Sequence, residues 1–473
     1  MSKRIRSILG FFPYLFVLLF VFITAVKPPA DTDLGWHLRY GQYFFQTGHV
    51  LRENILSFVW PAYRWVQASW GYDLLVYQVF TRFGFFGLSV AGALLTIAVY
   101  MVITRCVSKK EWEIHLFLAT ILLTQGVPLY YTGMRSQSPS TLFFAILLTL
   151  LYPTVTKKIY LFPILFWVWA NMHGGFTLGL VIFGIFWLIH SRKIQLGLSL
   201  TASILAPLVN PWGVRIYEET LKHSTNTNLR VISEWNSIGQ WKTEAMVAFL
   251  VFLFVCFLAY RRKKTGDIAY MLSFAGVTYL AFTALRFLIP FAVMATYYAA
   301  LALGDIRIGK TLKVAGAIML SLLIIGDTVV WKHYFTKPDP TLPWFSWNNY
   351  CGVDLCSEPI TAIMRKNPPQ GAGYHPYDMG GYLTWRVPMV KTFLDGRMAA
   401  WEENGKTPPV VEGDRIIAER EPVTWRYFDS QYHFRWAIVA THSAITLYLD
   451  QLVKSGLWTK PYQDITYSYY EKK

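Results

Sequence analysis

The apolar residues of this chain fall into repeated blocks of about 15 to 21 residues, divided by short polar or basic breaks. A helix needs roughly 20 residues to cross the hydrocarbon of a bilayer, so each block is long enough for one crossing. The pattern predicts helices over 8–26, 85–105, 113–131, 139–153, 159–171, 175–190, 195–209, 244–260, 267–285, 287–303 and 311–331. Two further stretches, Gly35–Thr47 and Trp70–Phe83, mix aromatic and polar positions and read as amphipathic helices lying along a membrane surface. Beyond residue 331 the pattern changes. Helical runs near Pro359–Arg365 and Ile445–Ser455 alternate with strand-like runs at Val390–Leu394, at Trp436–Ala440 and at the aromatic end of the chain. The expected fold class is an all-α polytopic membrane bundle of about eleven transmembrane helices (1–331) carrying a C-terminal extracytoplasmic α/β domain (332–473).

Charge sets the orientation. With the N-terminus cytoplasmic, six helix ends on that side carry 17 basic residues, from Lys3, Arg4 and Arg6 through the run Arg261–Lys264 to Arg307, Lys310 and Lys313. The short connections on the other side carry only Arg135 and Arg286, as the positive-inside rule requires. Counting Trp70–Phe83 as a span would invert everything downstream, which is why it is laid along the membrane. A large first loop (27–84), a second loop (210–243) and the tail then face outside. The expected location is the plasma (inner) membrane, multi-pass. A content of 54% hydrophobic and 15% charged residues is too apolar for an ordinary soluble domain, which is about 25% charged. The net charge of +16 is therefore assigned to orientation, with no nucleic-acid partner.

The first external loop opens with Asp31-Thr32-Asp33, followed by Trp36, His37 and Arg39. Two carboxylates two residues apart at a lipid–water boundary could bind a divalent cation (Mg or Mn) or act as general base toward a hydroxyl. They could equally be acids capping the helix that follows. Arg135 and Gln137 open the fourth predicted helix from outside, where an arginine suits phosphate or simple interfacial anchoring. Asn171 and His173 occupy a tight glycine-containing turn (WANMHGG); Asn210-Pro211-Trp212-Gly213 and Glu234 lie in the second loop, and Arg286 starts the tenth predicted helix. In the tail, the glycines after Asp378 (YDMGGY) allow a close turn, and Asp395 and Arg397 (LDGR) could serve substrate or pair with each other. Cys351 and Cys356 could form a local disulfide on an oxidising face. No GxxxxGK[ST], HExxH or CxxC pattern is present, so the sequence supports neither a nucleotide-driven pump nor a zinc hydrolase.

The layout of a first helix, an acid pair opening a large external loop with two surface helices, many further spans and an external tail resembles the GT-C type membrane glycosyltransferases. The patterns DTDLGWHLRYGQ, WVWANMHGGFTLGL, LVNPWG and YDMGGYLTW…FLDGRM also resemble a set of prokaryotic membrane proteins within that group. The resemblance implies an enzyme that moves a sugar, with inversion, from a polyprenyl-phosphate-linked donor to an acceptor outside the cell, with membrane lipid around it. It places the catalytic acid on Asp31 or Asp33. PYDMGGY stands where the oligosaccharyltransferase subunit has WWDYG, so recognition of an asparagine sequon is not implied. Two other classes fit the apolar pattern: a transporter or flippase of a lipid-linked glycan, and a non-catalytic membrane assembly protein. A transporter is expected to show charged or broken helix interiors and paired halves, which this chain lacks.

Overall fold

A computed structural model describes residues 12–26, 31–130, 134–152, 158–190, 194–240, 242–262, 268–304, 356–403, 406–412 and 421–473, with three isolated positions besides. The helices are α1 (Phe12–Ala25), α2 (Leu34–Thr47), α3 (Trp70–Ile103), α4 (Trp112–Tyr130), α5 (Gln137–Leu151), α6 (Leu161–Ala170), α7 (Phe176–Ile189), α8 (Ile194–Leu205), α9 (Arg215–Thr225), α10 (Lys242–Arg262), α11 (Ile268–Thr283) and α12 (Leu288–Leu303). The tail adds α13 (Glu358–Lys366), β1 (Gly373–Tyr374), α14 (Gly380–Arg386), α15 (Glu421–Tyr432), β2 (Trp436–Ala440), α16 (Ala444–Lys454), β3 (Trp458–Gln463) and β4 (Tyr467–Lys472). Every predicted span that falls among the described residues is helical. The expected helix over 311–331 lies outside them. Among the described residues, Trp70–Ile103 and Leu285–Leu303 are long and apolar enough to cross a membrane, and eight shorter apolar helices accompany them.

The chain divides into two compact units. The first takes Met1–Pro28, Phe86–Thr220 and Ser233–Pro338 and is helical where described. Its packing centre is α12, buried over most of its length and lined by alanines that let α4, α5, α10 and α11 approach closely. On α7 and α8 the large side chains Val181, Ile194 and Leu198 are exposed instead, apolar surface of the kind that a lipid environment covers.

The second unit takes Pro29–Phe85, Leu221–Ile232 and Asp339–Lys473. The sequence reading split the chain into consecutive domains at 331/332; in the structure the first loop packs with the tail. Its sheet runs β1-β2-β4-β3, with β1 parallel to β2 and the other pairs antiparallel. Trp36, Tyr40, Leu51 and Trp65 of the loop share one aromatic core with Phe393, Trp401, Trp425, Phe434 and Trp458 of the tail. The two segments form a single core.

One local boundary is kept and two expectations change. The Trp70–Phe83 helix and the helix expected from 85 both form within α3, with a break between them at Gly84, whose φ of 60° and ψ of −155° belong to a region that only glycine enters without strain. Val390–Leu394 is not a strand: Thr392 makes a single parallel bridge to Ser57, and the Val387–Val390 turn just before it, with Pro388 inside, prevents a longer ladder. Gly380 and Gly381 do not form a turn but begin α14.

Candidate functional site

The acid pair sits where three segments of the second unit meet. Asp33 is the residue before α2, yet its carboxylate does not cap the helix. Its Oδ1 accepts instead from Trp36 Nε1 at 2.9 Å, and Asp31 Oδ1 accepts from the Asp33 backbone N–H at 3.3 Å. Asp31 is 5% exposed and Asp33 half-buried. The capping alternative is thus not the geometry seen.

Glycines hold the tail against this corner. A Cβ on Gly35 would lie 1.7 Å from the Gly381 carbonyl oxygen, and one on Gly381 would lie 2.1 Å from the Thr32 carbonyl oxygen. A Cβ on Gly396 would lie 1.7 Å from Asp33 Oδ1, and one on Gly380 would lie 1.8 Å from the Leu394 carbonyl oxygen. Where the atom met is a backbone carbonyl oxygen, as at Gly35, Gly380 and Gly381, such a distance leaves no room for a side chain, while at Gly396 the Asp33 carboxylate would have to move aside. DTDLG, MGG and LDGR, three motifs more than 340 residues apart at the extremes, are therefore one packed constellation.

Asp395 and Arg397 pair with each other. Arg397 Nε and Nη2 donate to Asp395 Oδ1 and Oδ2 at 2.8 and 2.6 Å, and the remaining arms reach Tyr40 Oη at 3.2 Å and Asn54 Oδ1 at 3.3 Å. Both members of the pair are buried, at 0% and 1% exposure. Burial alone would pull the Arg397 guanidinium down, but Asp395 and Tyr40 outweigh it and hold the pKa above its ordinary value. The pairing is fork on fork, two guanidinium nitrogens to two carboxylate oxygens. Asp378, in contrast, is exposed on a short 3-10 turn.

His37 has a partner that the sequence reading missed. Its Nδ1 lies 2.5 Å from Asp73 Oδ1, and Gln67 Nε2 donates to both Asp73 oxygens at 3.2 and 2.9 Å. Trp65 Nε1 donates in turn to Gln67 Oε1 at 3.3 Å. Asp73 is an acid inside the otherwise apolar run WGYDLLVYQVF, a signal that could have marked it. Arg39, half-buried, donates to Gln42. A second missed network surrounds Glu358, which accepts from Arg386, from Arg365 at 2.6 Å and from Tyr382 Oη at 2.9 Å. Burial pushes its carboxyl up, but the two arginines more than reverse this and the pKa is lowered.

The other expected residues belong to the helical unit. Arg135 Nη1 is 3.2 Å from Glu234 Oε2, and the Arg286 guanidinium lies 4.1 Å over the Trp235 ring. Burial would raise the Glu234 pKa, but Arg135 and Arg286 together hold it below its usual value. Two arginines and one carboxylate leave a net positive spot. Gln137 Oε1 is buried with no hydrogen-bond partner among the described residues. Asn171 and His173 serve their turns: Asn171 Nδ2 donates to the Trp167 and Val209 carbonyls, and His173 Nδ1 accepts from the Gly175 N–H at 3.0 Å. Asn210 likewise closes its own turn by donating to the Pro207 and Gly213 carbonyls.

Among the described residues no group of three or more His, Cys, Asp and Glu is placed to hold a metal ion. Asp31 and Asp33 would contribute carboxylates to a magnesium-like ion, which commonly takes one or two from protein and the rest from water or phosphate. Cys356 is disulfide-bonded, whereas Cys106 and Cys256 form no disulfide; the expected partner of Cys356, Cys351, lies outside the described residues.

No protein-family profile and no curated protein sequence matches this chain. Solved structures do. The oligosaccharyltransferase of Archaeoglobus fulgidus in its apo form superposes with a TM-score of 0.53 at 11% identity, over 90% of this chain and 69% of that one. ArnT from Cupriavidus metallidurans bound to undecaprenyl phosphate superposes with a TM-score of 0.57 at 10% identity, over 99% of this chain and 98% of that one. Both are GT-C glycosyltransferases, and this chain has their GT-C type membrane fold.

Proposed function

We propose that this protein is an inverting glycosyltransferase that takes a sugar from a polyprenyl-phosphate-linked donor and transfers it to an acceptor on the extracytoplasmic face of the plasma membrane. The observation that carries this reading is the acid corner itself: Asp31 and Asp33, at the head of the first loop, are built into the core of the second unit by glycine contacts from two tail motifs. A solvated loop acid has no need of such support; a carboxylate whose position matters does. The solved neighbour holding undecaprenyl phosphate supports a polyprenyl phosphate as the lipid. The topology that goes with this reading is the eleven-span one, N-terminus cytoplasmic and tail outside.

In the reaction, Asp33 removes the proton from the acceptor hydroxyl as its oxygen forms the new bond to the anomeric carbon. The bond from that carbon to the phosphate oxygen breaks on the opposite face, so the configuration inverts and the polyprenyl phosphate leaves with its electron pair. Asp31 orients Asp33 through the N–H bond or shares a cation with it. Within the helical unit, Arg135 and Arg286 form a cationic spot that suits a phosphate on charge, with Glu234 as their counter-ion. His37, held by Asp73, fixes the start of α2.

The test is glycan and lipid-linked sugar profiling of a strain lacking the gene, complemented with wild type, Asp31→Asn or Asp33→Asn at matched membrane levels. Loss of the product with Asp33→Asn, together with accumulation of the lipid-linked donor, is the expected result. Full rescue by both variants would remove the catalytic assignment.

A further inference from the structure

One exposed feature of the second unit has no part in the acid corner. Helix α14 ends at Arg386, and the chain then makes a tight turn closed by the Val390 N–H donating to the Val387 carbonyl at 3.0 Å. The valines at its base are buried, while Pro388 and Met389 at its tip are exposed, Met389 at 56%. A fold that needed only a reversal here would place polar residues at the tip. Lys391, also exposed, follows it.

The turn is joined to the loop helices by a row of rings. Phe45 of α2 stacks on Tyr77 of α3 at 5.6 Å, Tyr77 meets Trp385 at 6.4 Å, and Trp385 meets Phe80 edge-on at 5.6 Å. Phe80 in turn packs on Phe85 at 4.9 Å. The row ends where Gly84 leads directly into the apolar stretch to Ile103, which is long enough to span a membrane. Phe45 of this row is exposed, and so are Arg82 and Phe83, which follow Phe80 in α3. Aromatic rings with an apolar tip and basic flanks are the composition of a headgroup-level contact, where the rings sit at the boundary and cations meet lipid phosphates.

We propose that the Val387–Val390 turn of the tail inserts its Pro388-Met389 tip into the lipid headgroup layer, so that the tail is moored to the membrane surface beside α2 and the first part of α3. The occupant of this face is lipid, because the row is continuous with a spanning segment and its exposed charges, Arg82 and Lys391, are cationic. The mooring depends on the membrane reading of the apolar helices and not on the transfer chemistry. It would keep the Gly380–Gly381 and Asp395–Arg397 contacts at a constant height over the bilayer.

The test uses full-length protein with Cys106→Ala and Cys256→Ala, carrying Met389→Cys labelled with an environment-sensitive fluorophore and reconstituted in vesicles containing anionic phospholipid. Ile465→Cys, at an exposed apolar position in the turn between β3 and β4, serves as comparison. Lipids with a doxyl group near the top of the acyl chain are expected to quench the Met389 label by about twofold or more, while aqueous iodide leaves it largely untouched. The Ile465 label should respond to iodide. A second label at Lys391→Cys guards against a local effect of the first. Iodide quenching of both tail labels, or protection from both quenchers as a protein partner would give, overturns the proposal. Asp33→Asn in the same background should leave the lipid quenching unchanged, so a failure of the catalytic reading is seen separately.

Discussion

Gly396→Ala is the sharpest probe of the acid corner. The new Cβ would lie 1.7 Å from Asp33 Oδ1 and 2.7 Å from its Cγ, whereas ordinary contact needs at least 3.4 Å. The backbone at Gly396 is not left-handed, so alanine brings steric overlap without φ strain. Asp33 is the far end of a side chain and can move, but only by breaking its 2.9 Å bond from Trp36 Nε1. Losing a charged hydrogen bond costs about 1.5–3 kcal/mol and the residual crowding about 1 kcal/mol, so the expected destabilisation is about 2.5–4 kcal/mol. On the proposed function, displacing the Asp33 carboxylate by about 1 Å or more is expected to lower sugar transfer about 100-fold. The assay is a double-mutant cycle on unfolding of the solubilised protein, with Asp33→Ala as the second change. Without the carboxylate, Gly396→Ala has nothing to displace and should cost under about 1 kcal/mol. An equal cost in both backgrounds would refute the claim that Gly396 exists to admit Asp33.

Gly381→Ala should behave differently, because its clash is with the Thr32 carbonyl oxygen, and backbone cannot swing aside. Low yield of folded protein is expected whatever stands at position 33. Asp395→Asn leaves Arg397 buried with an uncompensated charge and should cost about 3–5 kcal/mol, measured as a fall in the unfolding midpoint. A change under about 1 kcal/mol would show that the pair is not buried as described. His375 contributes to acid sensitivity: its Nε2 accepts from the Phe393 N–H at 2.8 Å, which requires the neutral ring, and burial lowers its pKa to about 4 from 6.5. Since the unfolded ring takes up a proton first, its contribution is complete above pH 6.5 and is lost as pH falls toward 4, about 3 kcal/mol in all. His375→Gln should flatten that part of the stability–pH curve, and an unchanged slope would contradict the assignment.

Much of the chain was legible without coordinates because its signals are local. A block of apolar residues must be helical in lipid, where every backbone polar group needs a partner within its own segment. The described helices accordingly begin and end near the predicted breaks. In the tail, α13 and α16 were also read, and Ser357 and Ser443 cap them through their own side chains, whereas α14 and α15 were not read from the sequence. Val390–Leu394 was misread because alternation alone cannot tell a strand from an extended segment that finds a single-residue bridge to Ser57. Asp73 and Glu358 were passed over because each looks like an isolated acid until His37, Arg365 and Arg386 are brought beside it.

What the sequence determined by itself was therefore the apolar blocks, the charge bias at their ends, and Asp31 and Asp33 as the residues to watch. What only the tertiary structure decided was their company. The union of residues 29–85 with the tail, the seating of Gly396 against Asp33, and the withdrawal of Asp395 and Arg397 into a buried pair all depend on contacts between segments hundreds of residues apart. Such contacts leave no periodicity along the chain. A glycine required for close approach reads, in one dimension, the same as a glycine required for a turn.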